Sequence, residues 1–140
     1  MFQDIKCRAA EPAVGRIIAL AAVDGSPAGV AAEAEKYMKS NKLYLCGWVE
    51  DDQILGICGY EVHPAKAEVH LIAVAEQRQH EGIGTAMLYA LQAMYHLPLE
   101  LETVEEAVGF YRKLGFTATP FPDAAFGVKY TCFLPCQKEE

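Results

Sequence analysis

The sequence predicts an α/β fold built around a mixed β-sheet. Segments with helical spacing alternate with apolar, strand-like segments in the middle of the chain, and hairpin patterns lie on both sides of them. The 140 residues are 52% apolar, which suits one compact domain over residues 1–140. No low-complexity tract or linker-like composition divides the chain.

Two helices and a β-hairpin are expected in the first part of the chain. Apolar residues recur at helical spacing from Glu11 to Val23 and again from Ala31 to Lys39. The next two apolar segments, Leu43 to Val49 and Ile54 to Val62, are rich in aromatic and β-branched residues. They flank the acidic turn Glu50 to Gln53, and this arrangement predicts a hairpin.

A central strand and a third helix follow. The segment Glu68 to Val74 has apolar residues on both faces, which is typical of a strand covered on two sides. The helix predicted from Thr85 to Tyr95 ends before Pro98. Four apolar residues are expected to share its buried face: Ile83, Met87, Leu91 and Met94.

The last third of the chain predicts a strand, a helix and two closing strands. Leu97 to Leu101 alternates apolar and acidic residues, as a half-buried strand does. Thr103 and Glu106 have the spacing of a capping box, and Gly115 offers a left-handed helix end. The closing strands are expected at Phe116 to Phe121 and Val128 to Leu134.

Charge and composition exclude several classes of protein. The net charge of -7 argues against a nucleic-acid partner, because phosphate backbones require clustered cations. The longest apolar run, Ile17 to Val23, is seven residues, whereas a membrane-spanning helix needs roughly 20. The charged N-terminus lacks the apolar stretch of a secretory signal, so a cytoplasmic location is expected.

The five cysteines are expected to be reduced thiols rather than disulfides or metal ligands. Their number is odd, and no CxxC pair occurs. Cys132 and Cys136 lack a nearby second pair or a histidine, so no metal is expected.

The segment Gln79 to Thr85 places two glycines at the entrance to a helix, directly after the central strand. Backbone amides at a helix N-terminus are unpaired and lie at the positive end of the helix dipole, so such a site binds phosphate without a lysine. A P-loop is excluded because Thr85 follows Gly84 directly, and a dinucleotide fingerprint is excluded because Met87 stands where its third glycine is needed. Taken alone, the two glycines fit a tightly packed helix entrance equally well.

A second motif, AVGFYRKLGF at residues 107–116, distinguishes the two explanations. With Gly82-Ile-Gly84, eight residues after Val74, it resembles the two signature segments of the GNAT-type N-acetyltransferase superfamily. The resemblance extends from Glu68 to Phe116. It implies a mostly antiparallel central sheet of about six to seven strands flanked by about four helices, and acetyl transfer from the cosubstrate acetyl-CoA to an amine.

The resemblance also implies roles for individual residues. Backbone groups of Ile72 and Val74 would pair with the pantetheine arm of CoA. Tyr111 matches a tyrosine that protonates the departing CoA thiolate, and Lys113 could reach a CoA phosphate. The pyrophosphate would be held by Gln79, His80, Glu81, Gly82, Ile83, Gly84 and Thr85.

The sequence departs from the family pattern at two places. His80 and Glu81 stand where relatives carry basic residues, so Arg78 or Lys113 would have to compensate. Val104 stands where relatives often carry an asparagine. These departures keep open the alternative of a non-catalytic acyl-CoA-binding sensor or regulator with a protein partner.

The reaction also needs a proton acceptor, because an alkylammonium with a pKa of about 10.4 must lose its proton to attack a thioester. The candidates are Glu68 and His70 on the central strand and Glu100 and Glu102 on the next strand, with Glu68 and Glu100 ranked first. Strand alternation is expected to place Glu68 and His70 on the same face as the pantetheine-pairing residues. Tyr111, with an ordinary pKa of about 10 against about 8.5 for a thiol, could donate its proton fully only if the site lowered its pKa.

The sequence therefore predicts an acetyl-CoA-dependent N-acetyltransferase that works by direct attack of the amine in a ternary complex, without a covalent enzyme intermediate. The negative net charge favours a cationic acceptor, either a small amine or a protein amine. A homodimer is left open.

Overall fold

The structure, a computed structural model, describes residues 1–22 and 24–136. Val23, the last residue of the first predicted helix, lies outside the described residues. Two 3-10 turns, Lys6–Arg8 and Glu76–Arg78, connect larger elements. The strands and helices, in chain order, are β1 (Phe2–Asp4), α1 (Pro12–Ala21), α2 (Pro27–Lys39), β2 (Leu43–Glu50), β3 (Gln53–Val62), β4 (Ala67–Val74), α3 (Ile83–Tyr95), β5 (Leu99–Val104), α4 (Glu105–Lys113), β6 (Thr117–Asp123) and β7 (Gly127–Leu134).

The seven strands form one sheet in the order β1-β2-β3-β4-β5-β7-β6. All neighbouring strands are antiparallel except β4 and β5, which are parallel. The predicted mixed, mostly antiparallel sheet is therefore confirmed, and β4 is its central strand. Its position next to β5 brings the elements that follow the two strands, α3 and α4, to the same side.

Each face of the sheet has its own apolar core. On one face, α3 and α4 bury residues such as Met87, Leu91 and Val108 against the sheet. On the other face, α1 and α2 bury Ile18 and Tyr37. None of the helices in the described ranges combines the length and apolarity needed to cross a membrane.

Two turns have the backbone conformations that the sequence predicted. Asp51 and Asp52, the two residues between β2 and β3, have φ angles of 50° and 65°, as a two-residue hairpin turn requires. Gly115 has a φ of +105° and directly follows the C-cap of α4. Both the hairpin and the glycine stop are confirmed.

The predicted capping box is wrong. The N-cap of α4 is Val104, without a side-chain cap, and Thr103 lies in β5 with only 8% of its surface exposed. The reason is that β5 pairs with β7 as far as Val104, beyond the predicted end at Leu101, so Thr103 is held opposite Tyr130.

The start of α2 and the buried face of α3 also differ from the prediction. Helix α2 begins at Pro27, four residues earlier than predicted, because the Ser26 hydroxyl accepts a hydrogen bond of 3.1 Å from Gly29 N and a proline follows at the first helical position. Met94 is 47% exposed rather than buried, with its sulfur 4.0 Å from the Tyr60 hydroxyl at the edge of the core.

A register shift in β4 changes which residues share a face. In the pairing with β3, Gly59 lies opposite Leu71 and Tyr60 lies opposite Val69, so His70 has no partner. Val69 consequently packs in the α3–α4 core and Leu71, two residues later, packs in the α1–α2 core. The expectation that Glu68 and His70 share a face with Ile72 and Val74 is therefore wrong.

Candidate active site

The candidate site is the gap between β4 and β5. The two strands pair at only three positions, from Ala67 with Leu99 to Val69 with Leu101, and no pairing continues beyond them. The gap contains a cleft of about 140 Å³. It is lined by Ala21, Val69, His70, Leu71, Ile72, Leu101, Glu102 and Tyr111.

The β4 side of this gap offers backbone hydrogen-bonding groups that β5 does not pair. Ala75 N donates to Leu55 O at 2.8 Å, so these two residues form a hydrogen-bonded antiparallel pair. Because such pairs alternate, Val74 and Ile72 occupy positions whose N–H and C=O point away from β3 and toward β5. The side-chain amide of Gln79 donates to the Val74 carbonyl oxygen at 3.2 Å.

The loop after β4 brings unpaired amides to the start of α3. Gly82, the N-cap, has a φ of +87°, and His80 has a φ of 67°. The first helical bond runs from Ala86 N to Gly82 O, at 3.0 Å. The N–H groups of residues 83–85 have no acceptor among the described residues, so three donors are available to an anion at this end of the helix.

The acidic residue in this loop is neutralised by a neighbour. Glu81 accepts hydrogen bonds of 3.0 and 3.2 Å from Arg78 Nε, and this contact raises the pKa of Arg78 further. Arg78 also lies 3.6 Å from Glu50. Arg78 is thus paired with the carboxylates of Glu81 and Glu50, while Lys113 is exposed in the last turn of α4.

Tyr111 lies on the buried face of α4, at the wall of the cleft. Its ring makes edge contacts with Phe110 and Phe116, at centroid distances of 5.1 and 5.5 Å. Its hydroxyl makes no hydrogen bond with the described residues. Burial raises the pKa of Tyr111 to about 12, so the group is a neutral hydrogen-bond donor over the physiological range.

The two glutamates of β5 share a face but not an environment. Glu102 lines the cleft, and its carboxylate makes no hydrogen bond or ion pair with the described residues. Glu100 lies outside the cleft and accepts a hydrogen bond of 2.8 Å from Lys66 Nζ, which raises the pKa of Lys66. The sequence analysis missed this pair, because only the register of β4 with β5 brings Lys66 to Glu100.

Glu68 and His70 lie together near the end of the cleft where the strands still pair. His70 Nε2 lies 3.4 Å from Glu68 Oε1, and the same oxygen is 3.3 Å from His63 Nε2. His70 lines the cleft, whereas Glu68 does not. The structure thus brings Tyr111, Glu102, His70 and Ile72 to one cleft, with Glu100 and Glu68 at its margin.

Comparison with known proteins agrees with this architecture. A sequence profile for the acetyltransferase (GNAT) domain matches residues 41–118, more than half of the chain. No curated protein sequence is significantly similar to it.

Solved structures match the whole fold. The aminoglycoside 6'-N-acetyltransferase from Enterococcus faecium superposes with a TM-score of 0.79 at 15% identity, over 100% of this chain and 99% of that one. The ribosomal-protein-S18-alanine N-acetyltransferase from Escherichia coli gives a TM-score of 0.76 at 18% identity, over 100% and 96%. An aminoglycoside 6'-N-acetyltransferase complexed with coenzyme A gives 0.78 at 14% identity, over 100% and 99%.

Fold and cleft together define an acetyltransferase domain. The chain belongs to the GNAT acetyltransferase family. The resemblance inferred from Gly82-Ile-Gly84 and from residues 107–116 is confirmed.

Proposed function

We propose that the protein transfers the acetyl group of acetyl-CoA to a cationic amine by direct attack in a ternary complex. The observation that carries the proposal is one cleft that joins an unpaired strand edge, a neutral buried tyrosine and a carboxylate without a partner among the described residues, with unpaired helix amides at the end of the loop that follows the same strand. Each of these groups corresponds to one requirement of the reaction.

The cofactor would lie along the C-terminal half of β4. The pantetheine arm would pair with the backbone groups of Ile72 and Val74 that point toward β5, as an added strand does. The pyrophosphate would accept hydrogen bonds from the amides of the 79–85 loop and the start of α3. Lys113, at the exposed end of α4, would approach a CoA phosphate.

The amine nitrogen would attack the thioester carbonyl carbon, and the carbon–sulfur bond would then break. We place the proton acceptor at Glu102, because it lines the cleft and no cation of the described residues pairs with it. Glu100 is paired with Lys66, and Glu68 contacts histidines. These contacts make both glutamates weaker candidates for the proton acceptor than Glu102. The amine proton would pass to the Glu102 carboxylate.

Tyr111 would donate a hydrogen bond to the sulfur as negative charge develops there. Complete proton transfer from a group with a pKa of about 12 to a thiolate of ordinary pKa costs roughly 5 kcal/mol, so hydrogen bonding is the favoured contribution. The released CoA thiolate would take its proton from solvent, and Glu102 would give the amine proton back to solvent.

The acceptor would be cationic because the open face of the site is acidic. Glu61, Glu68 and Glu100 lie next to one another across three strands, and Glu102 follows on β5. Relatives of this fold are named for aminoglycosides and for a ribosomal protein alanine, so the fold alone does not choose between small-molecule and protein amines.

The alternative is a non-catalytic acyl-CoA sensor with a protein partner. A panel of amines, including a polyamine, an aminoglycoside and lysine- and alanine-terminated peptides, distinguishes the two when CoA thiol release is measured. Release with at least one amine supports the enzyme. Thermal stabilisation by acetyl-CoA without turnover of any amine would favour the sensor.

Three further features remain part of this proposal. A cytoplasmic location is supported by the free thiols of Cys7, Cys46, Cys58 and Cys132. The organisation of residues 1–140 as one domain is supported by the single sheet. Self-association as a homodimer stays a prediction, which light scattering after size-exclusion chromatography would test.

A further inference from the structure

We propose that Glu61, His63 and Glu68, joined by His70, form a binding site for one divalent transition-metal ion, for which Zn²⁺ is the best match. The site shares Glu61, Glu68 and His70 with the acidic face and margin of the candidate cleft. It lies at the β3–β4 hairpin, and no step of the reaction described above uses an ion.

The sequence EVHPAKAEVH, at residues 61–70, contains the tripeptide Glu-Val-His twice. Contacts within each tripeptide bring its carboxylate and imidazole together: His63 Nε2 lies 3.8 Å from Glu61 Oε2, and His70 Nε2 lies 3.4 Å from Glu68 Oε1. The antiparallel register places Glu61 directly opposite Glu68. The turn is closed by a hydrogen bond of 2.8 Å from His63 N to Lys66 O.

The ligand atoms are already near the spacing that a small cation requires. One atom each from Glu61, His63 and Glu68 lies within 4.8 Å of the others. Neighbouring ligands in a tetrahedral zinc site are about 3.4 Å apart. Glu68 Oε1 lies 3.3 Å from His63 Nε2 and 3.4 Å from His70 Nε2. Glu61 Oε2 lies 3.8 Å from His63 Nε2, and Glu61 Oε1 lies 3.5 Å from His70 Nε2.

The charge of the cluster also favours a cation. Glutamates directly opposite each other on neighbouring strands repel. Within the described part of the chain, the ion-pair contacts of Glu61 and Glu68 are all to histidines, while the nearby Lys66 is paired with Glu100. When the imidazoles are neutral, a divalent ion would balance both carboxylates.

Donor type and access point to the kind of ion. Two imidazole nitrogens and two carboxylate oxygens suit Zn²⁺ better than Mg²⁺ or Ca²⁺, which prefer oxygen ligands alone. The four side chains are between 28% and 35% exposed, so an ion can enter without unfolding the hairpin.

The test is calorimetric titration of the full chain with Zn²⁺ at neutral pH, in a buffer that does not bind metal and without CoA. The expected result is binding of one ion per chain. His63→Ala and Glu61→Gln should each weaken that binding at least 10-fold, with the fold of each variant verified by circular dichroism.

Two matched variants control for adventitious binding. His96→Asn removes a histidine at the end of α3, and Cys7→Ser removes an exposed thiol. Neither should change the affinity. Co²⁺ should give the visible bands of a tetrahedral nitrogen and oxygen site, without a thiolate charge-transfer band.

Absence of one-to-one binding by the unmodified chain would overturn the proposal. So would binding that survives both His63→Ala and Glu61→Gln, or binding that is lost with Cys7→Ser. Because CoA is absent from the titration, none of these results depends on whether the protein transfers acetyl groups.

Discussion

The two halves of the candidate site differ in the chemical groups that form them. The cofactor half, consisting of the C-terminal end of β4, the 79–85 loop and the start of α3, offers backbone N–H and C=O groups. The acceptor half, on the α1–α2 face of β3, β4 and β5, offers carboxylates and imidazoles. A conserved ligand such as CoA can be bound by backbone alone, whereas the choice of acceptor depends on side chains.

The largest expected effect tests the acceptor half. Glu102→Gln should lower kcat by about 10²–10⁴-fold, because it removes the proton acceptor without changing the shape of the cleft. Glu100→Gln is the matched control on the same strand and face, and its kcat should stay within a few-fold of the original. Steady-state CoA release at saturating amine measures both variants.

If Glu100→Gln lost activity and Glu102→Gln did not, the proton acceptor would be Glu100, and the assignment to the cleft residue Glu102 would be wrong. A large loss in Glu68→Gln alone would instead assign the base to β4.

The next largest effect is expected at Tyr111, which lies between the two halves. Tyr111→Phe should lower kcat by about 10²-fold, through loss of a hydrogen bond to the departing sulfur. Since the pKa of Tyr111 is raised to about 12, its hydroxyl stays protonated as the pH rises, and no alkaline loss of activity below about pH 11 should depend on it. Comparison of the pH profiles of Tyr111→Phe and the unmodified enzyme tests this, and an alkaline limb that disappears in the variant would contradict it.

A smaller effect is expected in the cofactor half. Gly82→Ala should weaken CoA binding about 10-fold, because the φ of +87° is unfavourable for an L-residue by roughly 1–2 kcal/mol. Gly109→Ala is the matched control: neither glycine has an atom within 4 Å of the position of an added Cβ, but Gly109 has an ordinary helical backbone. CoA titration calorimetry should show unchanged affinity for Gly109→Ala, and equal affinities for both variants would contradict a role for the left-handed N-cap.

The smallest effect concerns the N-terminal ends of α2 and α4. Ser26→Ala should lower the free energy of unfolding by about 1 kcal/mol, because it removes the cap of α2. Glu106→Ala should change it by only a few tenths of a kcal/mol, since no side chain caps α4 at its N-cap residue Val104 and Glu106 contributes only through the helix dipole. Urea unfolding measures both, and a loss of about 1 kcal/mol in Glu106→Ala would restore the capping box.

The same division explains what the sequence could predict. The glycine loop, the motif at residues 107–116 and the β2–β3 hairpin are local patterns, and the structure has them where they were expected. The strand β1 was not predicted, because its three residues give too short a pattern. The capping box failed because strand pairing with β7 holds Thr103 in β5.

The acceptor half could not be predicted because it depends on register. The unpaired residue His70 shifts the alternation of β4, and no local pattern at residues 67–74 indicates it. The pairing of Lys66 with Glu100, and the position of Glu102 in the cleft, follow from how β4 and β5 align. The structure therefore separates Glu102, which lines the cleft, from Glu100, although the sequence pattern of the two glutamates is the same.

The most direct test of the central claim is a comparison of CoA with pantetheine by titration calorimetry. If the α3 amides hold the pyrophosphate, CoA should bind one to one and pantetheine, which lacks the diphosphate, should bind at least 10²-fold more weakly. Failure of CoA to bind, or equal affinity for the two compounds, would contradict the account.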